Sequence, residues 1–319
     1  MIEGWRLSMK EAPAPPRAKP PHAIVSRCGR TPTITLPLLI KWRPNETPNR
    51  QRMTLRRCSC SCVIMNYADH SNSGERSFLT AAHRPWPVPN RSWAMRMRWC
   101  DLLFAHWNAD AAVLRRLIPE GLELDLFEGS AYVGVVPFRM EGVTPRWVPA
   151  SPGFDAFPEL NLRTYVKAAG KPGVWFFSLD AGQRLAVRVA RRFFHLPYFD
   201  AKFEINEVDD GIEYSALRIH RGAPSAAFVA KYRPLGAVYV SAMGTLEWWL
   251  TERYCLYSVD RAGRLYRGEI DHEPWPLQQA AAEVQVNTLG DWLGIETKGQ
   301  PTLHFAKSLD VRAWLIERV

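Results

Sequence analysis

The stretch "LELDLFEGSAYVGVVPF" (122–138) decides the fold class. Leu122, Leu124 and Leu126 alternate with Glu123 and Asp125, the two-residue period of a strand with one apolar face. Glu128-Gly129 then offers a tight turn, and a second apolar strand follows. The spacing predicts a β-hairpin.

Upstream, "MRMRWCDLLFAHW" (95–107) reads as a strand and "ADAAVLRRLIPEG" (109–121) as a short helix. In that helix Leu114, Leu117 and Ile118 share a face, and Pro119 with Gly121 ends it. Downstream, a Pro/Gly-rich loop (141–158) leads to "ELNLRTYV", which pairs through "KAAGKPG" with "VWFFSLD" (174–180). "AGQRLAVRVARRFF" (181–194) is amphipathic at helical spacing, with Leu185, Val189 and Phe193 aligned. Strands resume in "AKFEINEV", a turn at Asp209-Asp210-Gly211, and "IEYSALRIH". "TLEWWLTERY" (245–254) reads as a short helix capped by Thr245. The hairpin "CLYSVDRAGRLYRGEI", a helix near 276–285 and a strand near 302–306 complete the domain. The class is β-rich α+β. An antiparallel sheet this extensive manages its edges by closing into a barrel or by packing as two sheets.

Charge divides the chain. Residues 1–95 hold 15 Lys+Arg against 5 Asp+Glu, while the whole chain has 41 against 32, so the remainder is nearly neutral at 26 against 27. The basic balance therefore argues for neither nucleic acid nor membrane as partner of the main domain. The first 64 residues are rich in Pro, Arg, Ser and Cys without apolar period, too poor in apolar surface to offset ordering entropy. The expected division is a disordered tail over 1–76 and one domain over 77–319. "ITLPLLI" (34–40) is too short to span a bilayer and too far from the start for a secretory signal. An Arg-rich, acid-poor lead also fits a transit peptide. The reading adopted is a mis-assigned start, with Met65 as initiator.

Cys58, Cys60 and Cys62 lack the spacing and the partner pair of a zinc site, and Cys100 and Cys255 lie in apolar segments. A reduced, cytoplasmic protein is expected, with no metal and no cofactor. Neither a nucleophile elbow, nor a phosphate loop, nor an H-E-x-x-H helix occurs.

Several groups remain as candidates. Glu159, Asn161 and Arg163 share one strand face, as on any solvated sheet or, alternatively, facing a cavity where Glu159 and Arg163 hold a small polar substrate. Glu247, Glu252, Arg253 and Tyr254 cluster near two tryptophans, where helical surface pairing competes with a carboxylate of raised pKa. His272 stands between Asp271 and Glu273 and is either a general base or a loop histidine; strand geometry lets it use only one neighbour. His106 reads most simply as a core-edge histidine. In "FFHLPYFDAKFEI" (193–205), Lys202 shares a face with Asp200 and Glu204, which raise rather than depress an amine pKa, so Lys202 is read as a solvated strand residue.

The segments "WCDLLFAHW", "LRRLIPEGLELDLFEGSAYVGVVPFRM", "FPELNLRTYV", "GVWFFSLDAGQRLAV", "FFHLPYFDAKF", "LTERYCLYS" and "IDHEPWPL" together resemble the YqjF-like bacterial family of unknown function, related to acetoacetate decarboxylase. They run in order over about residues 78–310. The more distant resemblance implies an antiparallel, cone-like closed β-barrel with an internal ligand site. In those decarboxylases a lysine pair follows a Tyr-Pro, and one lysine forms the Schiff base. Here Pro197 aligns, and Tyr198 and Phe199 stand in the lysine positions; the accompanying carboxylate maps onto Glu159. The resemblance thus implies a small-molecule pocket without the iminium chemistry; with the residue clusters it gives a lining of Arg163, His195, Tyr198, Phe199 and Arg253, and Glu159, His272 and Glu252 as acid–base candidates. The alternative is a lyase-type enzyme that uses acid–base residues or another lysine, of which Lys167, Lys171 and Lys231 lie in or near strands. The expected partner is a small organic ligand such as a carboxylate, with self-association left open.

Overall fold

The turn of the opening hairpin forms, but its first arm joins a different strand. The protein is described by a computed structural model over residues 83–147, 156–209 and 211–319. The expected tail, the Met65 start and Asp210 lie outside these residues. Glu128 and Gly129 both take positive φ, 47° and 79°, and Phe127 bridges Ser130 across them. The returning strand β3 (Ala131–Pro145) follows, yet the first arm, β2 (Glu123–Leu124), pairs with β4 (Phe157–Ala168) instead. Asp125 explains the diversion: its N–H bonds the Tyr165 carbonyl at 2.9 Å, and its carboxylate pairs with Arg253 at 2.6 Å.

The remaining elements follow in chain order. They are β1 (Met95–Ala109) and α1 (Ala111–Leu117) before β2, then β5 (Lys171–Ala181), α2 (Arg184–Phe193), β6 (Tyr198–Val208), β7 (Gly211–Arg218) and β8 (Ala227–Tyr239). After these come α3 (Leu246–Thr251), β9 (Cys255–Val259), β10 (Leu265–His272), β11 (Leu277–Asn287), β12 (Thr302–Ala313) and β13 (Glu317–Arg318). Asp110 and Thr245 cap α1 and α3 through side-chain oxygens, as the sequence suggests.

All strands join one 13-stranded sheet whose order turns back on itself. The run β5-β6-β7-β8-β11-β12-β1-β3-β4 returns to β5, and β9 with β10 bridges β5 to β12 by a second route. The strands β12-β1-β3-β4-β5 are thus a wall common to both circuits, buried on both faces. Leu103, Val133, Val135, Leu160 and Leu162 pack one side against Tyr214, Phe228 and Tyr232. Phe104, Val136, Phe138 and Leu179 pack the other against Tyr198 and Trp275. Two short pairings of β5, with β6 and with β9, are parallel. Parallel neighbours need a crossover, and α2 is the one between β5 and β6.

Two sequence expectations are corrected. The helix expected near 276–285 is strand β11, paired with β8 and β12. The helix preference of Gln-Gln-Ala-Ala-Ala amounts to about 0.5 kcal/mol per residue, whereas full burial of Leu277 contributes about 2 kcal/mol by itself. The loop expected from 141 begins later, because β3 stays paired to β1 as far as Pro145. In α2, the aligned Leu185, Val189 and Phe193 are 53%, 45% and 58% exposed, and Val187 is the residue that packs inward. Strand β8, with Phe228, Ala230 and Tyr232 inward, is marked in the sequence only by the placing of Lys231 in or near a strand.

Candidate functional site

Strand β4 positions the site because both of its faces are covered. Leu160, Leu162 and Thr164 enter the larger apolar cluster side, and Glu159, Asn161 and Arg163 point to the opposite side. That second face is not solvated: Glu159 is 2% and Asn161 5% exposed. Buried polar groups of this kind need partners, and Glu159 has one. Its Oε2 accepts from the Tyr198 hydroxyl at 2.9 Å. Burial pushes the Glu159 carboxyl up to about 8, against the Tyr198 bond and with help from Asp180. The acid is therefore protonated at neutral pH. Since the phenol already donates to Oε2, the acid proton belongs on Oε1.

At the other end of the row, His106 of β1, Gly134 of β3 and Arg163 of β4 lie side by side in register. A Cβ on Gly134 would stand 2.9 Å from His106 Cδ2 and 3.5 Å from Arg163 Cγ, so only glycine lets the imidazole and the arginine stem sit this close. The Tyr165 hydroxyl lies 2.9 Å from the Leu250 carbonyl and 2.6 Å from His106 Nε2, and the other ring nitrogen, Nδ1, is buried without a partner. Burial first, then the charges of Arg163, His304 and Arg253, hold His106 well below the usual histidine range. Burial likewise lowers His304.

Phe104 is the hub. Its ring lies 5.4 Å from the Arg163 guanidinium, 6.1 Å from His106 and 4.9 Å from Trp275, and its backbone pairs with His304. Around it, His106 Nδ1, Asn161 Oδ1, Arg163 Nε, His304 Nδ1 and Trp275 Nε1 are all buried without a hydrogen-bond partner. Arg163 bonds the Leu250 carbonyl at 3.1 Å, and among the described residues it forms no ion pair with a carboxylate. Arg253, by contrast, is committed to Asp125 and stacks 4.4 Å from the Trp249 ring; burial lowers its pKa against that carboxylate.

Of the other candidates, Glu252 and His272 meet the row through Trp275, and His195 and Phe199 do not. Glu252 accepts from the Tyr254 hydroxyl and, at 2.8 Å, from the Trp275 N–H; burial raises it. His272 stacks on Tyr254 and uses neither neighbouring carboxylate, its Nδ1–H donating to the Glu273 carbonyl at 2.8 Å. Burial lowers it to about 4. His195 takes positive φ and packs against Tyr266, 5.1 Å between rings, away from Glu159. Phe199 alternates with Tyr198, so it faces the other way and lies 4.2 Å beneath Arg218, whose guanidinium holds Asp180 at 2.7 Å. Among the described residues no lysine is buried: Lys202, Lys298 and Lys307 are exposed, and Lys167, Lys171 and Lys231 half-buried. A surface groove of about 300 Å³ touches Pro87, Arg91, Lys171, Arg267, Glu269 and Glu317, none of them in this row.

Gly134, His304 and Tyr165 were missed by sequence reasoning. Their signal is spatial, a row across three strands, and no short motif encodes it.

Comparison with known proteins agrees with the family read from the sequence. The profile of DUF2071, described as an uncharacterized conserved protein, matches residues 96–310. The uncharacterized protein YqjF of Bacillus subtilis is 48% identical over 232 residues, covering 72% of this chain and 95% of the relative. Among solved structures, an acetoacetate decarboxylase-like enzyme from Sphingomonas wittichii aligns with a TM-score of 0.51 at 13% identity, over 74% of this chain and 97% of that one. The enduracididine biosynthesis enzyme MppR complexed with pyruvate aligns at 0.52 and 12% identity, over 72% and 92%. These likenesses establish a shared fold. Among the described residues no helix is long and apolar enough to cross a membrane.

Proposed function

The chain belongs to the DUF2071 family, and we propose that it binds a small organic acid inside a closed, cone-like β-barrel, without a Schiff-base lysine. The barrel reading rests on the strand order that returns to β5. The ligand reading rests on one observation: the buried Arg163 Nε, His106 Nδ1 and His304 Nδ1 are unpartnered around Phe104. A ligand carboxylate supplies the anion that Arg163 lacks, through a charge-assisted hydrogen bond. The two neutral imidazoles hydrogen-bond ligand hydroxyls through their unpartnered Nδ1 atoms, and Trp275 and Phe104 cover the carbon skeleton. At the far end of the row, Glu159 Oε1–H donates to a ligand carbonyl. MppR, of the same fold, holds pyruvate, and 2-oxo acids are the class to try first. The two cysteines among the described residues are free and buried, which favours a reducing compartment such as the cytoplasm.

A second reading is a lyase-type enzyme working through acid–base groups. It is favoured by the Glu159 acid near 8, close to the pH at which a proton donor works best. Titration calorimetry with pyruvate and longer 2-oxo acids tests the binding. Wild type is expected to bind at least one, and Arg163→Gln to weaken it about tenfold or more. Borohydride added to the complex is expected to leave every lysine unmodified. No binding by any acid defeats the proposal, and a reduced lysine adduct restores Schiff-base chemistry. Turnover of a bound acid that is lost in Glu159→Gln selects the enzymatic reading.

A further inference from the structure

Helix α2 has an outer surface that the barrel does not use. Leu185, Val189 and Phe193 recur every fourth residue and form one continuous exposed stripe. One position earlier in each turn, Arg184, Arg188 and Arg192 form a second exposed row directly beside it. Val187 packs inward with Ala186, Ala190 and Phe194 partly buried behind it, so the helix is fixed with both rows outward. The helix contains no acidic residue. Arg191 is anchored on the Tyr198 carbonyl at 2.7 Å. Its guanidinium is lowered by burial, against the pull of Asp200, and further by Arg261 from the β9–β10 turn, which adds another cation to the same side. Of the carboxylates on this side, Asp180 is paired with Arg218 at 2.7 Å, while Asp200 bonds the His220 ring and pulls on Arg191. The near-neutral total of residues 96–319 thus conceals a local basic surface.

We infer that α2 is a docking surface for an anionic lipid bilayer, lying in the headgroup plane with Leu185, Val189 and Phe193 inserted and the arginines on the lipid phosphates. A short helix with a strongly charged row beside a Leu/Val/Phe row, and low overall apolarity, is the composition of an interfacial helix. Nucleic acid would satisfy the arginines and leave the apolar stripe in water. The lipid surface satisfies both rows at once. It requires no spanning segment, and it is independent of the ligand reading, since neither row enters the barrel.

Flotation of the full chain with vesicles of phosphatidylcholine alone, or with 30 mol% phosphatidylglycerol (about one lipid in three), tests this. Binding is expected only to the anionic vesicles and should weaken as salt rises from roughly 50 to 300 mM. Phe193→Ser/Val189→Ser and Arg188→Glu/Arg192→Glu are each expected to lower partitioning roughly tenfold or more. All four residues are exposed, so near-UV circular dichroism should stay native. The basic segment before residue 83 is common to every variant; binding that persists undiminished in both double variants assigns the lipid to that segment and overturns the inference. Failure of wild type to float does the same. So does loss of self-association, rather than of lipid binding, as the effect of the substitutions in sedimentation equilibrium.

Discussion

Tyr198 and Glu159 are joined by a buried hydrogen bond of 2.9 Å in which the phenol donates to a carboxylic acid. The resemblance read from the sequence aligns Tyr198 with an amine position and Glu159 with the accompanying acid, and the two side chains do meet. An amine here would ionise Glu159; a phenol leaves it neutral. Burial raising the acid to about 8 has a consequence for stability. Between the unfolded carboxyl pKa near 4.3 and about 8, the folded state holds a proton that the unfolded state has released. Stability therefore falls across that window as pH rises, by up to about 1.4 kcal/mol per pH unit. Glu159→Gln should lose this decline. Urea unfolding from pH 5.5 to 8.5 measures it, and the histidine contributions cancel between the two proteins. Parallel pH profiles would mean that Glu159 is ionised in the fold.

Gly134 decides whether His106 and Arg163 can stay together. Gly134→Ala places a methyl 2.9 Å from the imidazole, so the ring or the strand must move. A loss of about 1–3 kcal/mol is expected from overpacking, with weaker binding of any ligand that Arg163 holds. Thermal unfolding and calorimetry read the two effects. An unchanged melting temperature together with unchanged binding would show that the row has slack.

These two sites differ in how far the sequence revealed them. The partnership of Glu159, Asn161 and Arg163 on one face follows from period-two alternation and was legible. Its direction was not, because a polar face looks the same whether it meets water or a buried pocket. What settles it is the groups that meet that face, Tyr198 of β6 on Glu159 and the Leu250 carbonyl of α3 on Arg163. Likewise the QQAAAEV stretch of β11 has helical composition, and only its pairing with β8 and β12 makes it a strand. The stripe of α2 was legible as periodicity, but alignment of Leu185, Val189 and Phe193 does not say whether the sheet or the solvent meets it. His195 and Phe199 shared a segment with Tyr198, yet strand alternation and a positive φ at His195 turn them away from Glu159.

Asp180 and Arg218 stand behind the Tyr198 segment as a buried, two-bonded pair, both bonds 2.7 Å. Removing one partner leaves the other charge uncompensated. Asp180→Asn is expected to cost about 3–5 kcal/mol, while Asp180→Leu/Arg218→Met should cost clearly less than the sum of its singles. Additive losses in urea unfolding would show that water reaches the pair and screens it.

Arg84 poses the same question at the edge of the described domain. Its side chain is fully buried, with Nη1 on Asp271 at 2.9 Å and Nη2 on Glu269 at 3.3 Å, and its guanidinium covers the Tyr254 ring at 4.7 Å. The two carboxylates differ in what remains after the arginine is lost. Glu269 keeps Lys171 at 3.2 Å, Arg267 at 3.1 Å and the Trp86 indole N–H at 2.8 Å. For Asp271, Arg84 is the ion-pair partner, so it is the charge left stranded. Arg84→Met should cost about 3–5 kcal/mol, and adding Asp271→Asn should recover a large part of it, whereas adding Glu269→Gln should deepen the loss. Arg84→Lys keeps the charge but cannot reach both carboxylates with a fork, and should fall between wild type and Arg84→Met. Denaturant midpoints for the five proteins order these outcomes; rescue by Glu269→Gln instead of Asp271→Asn would reverse the assignment of the stranded charge.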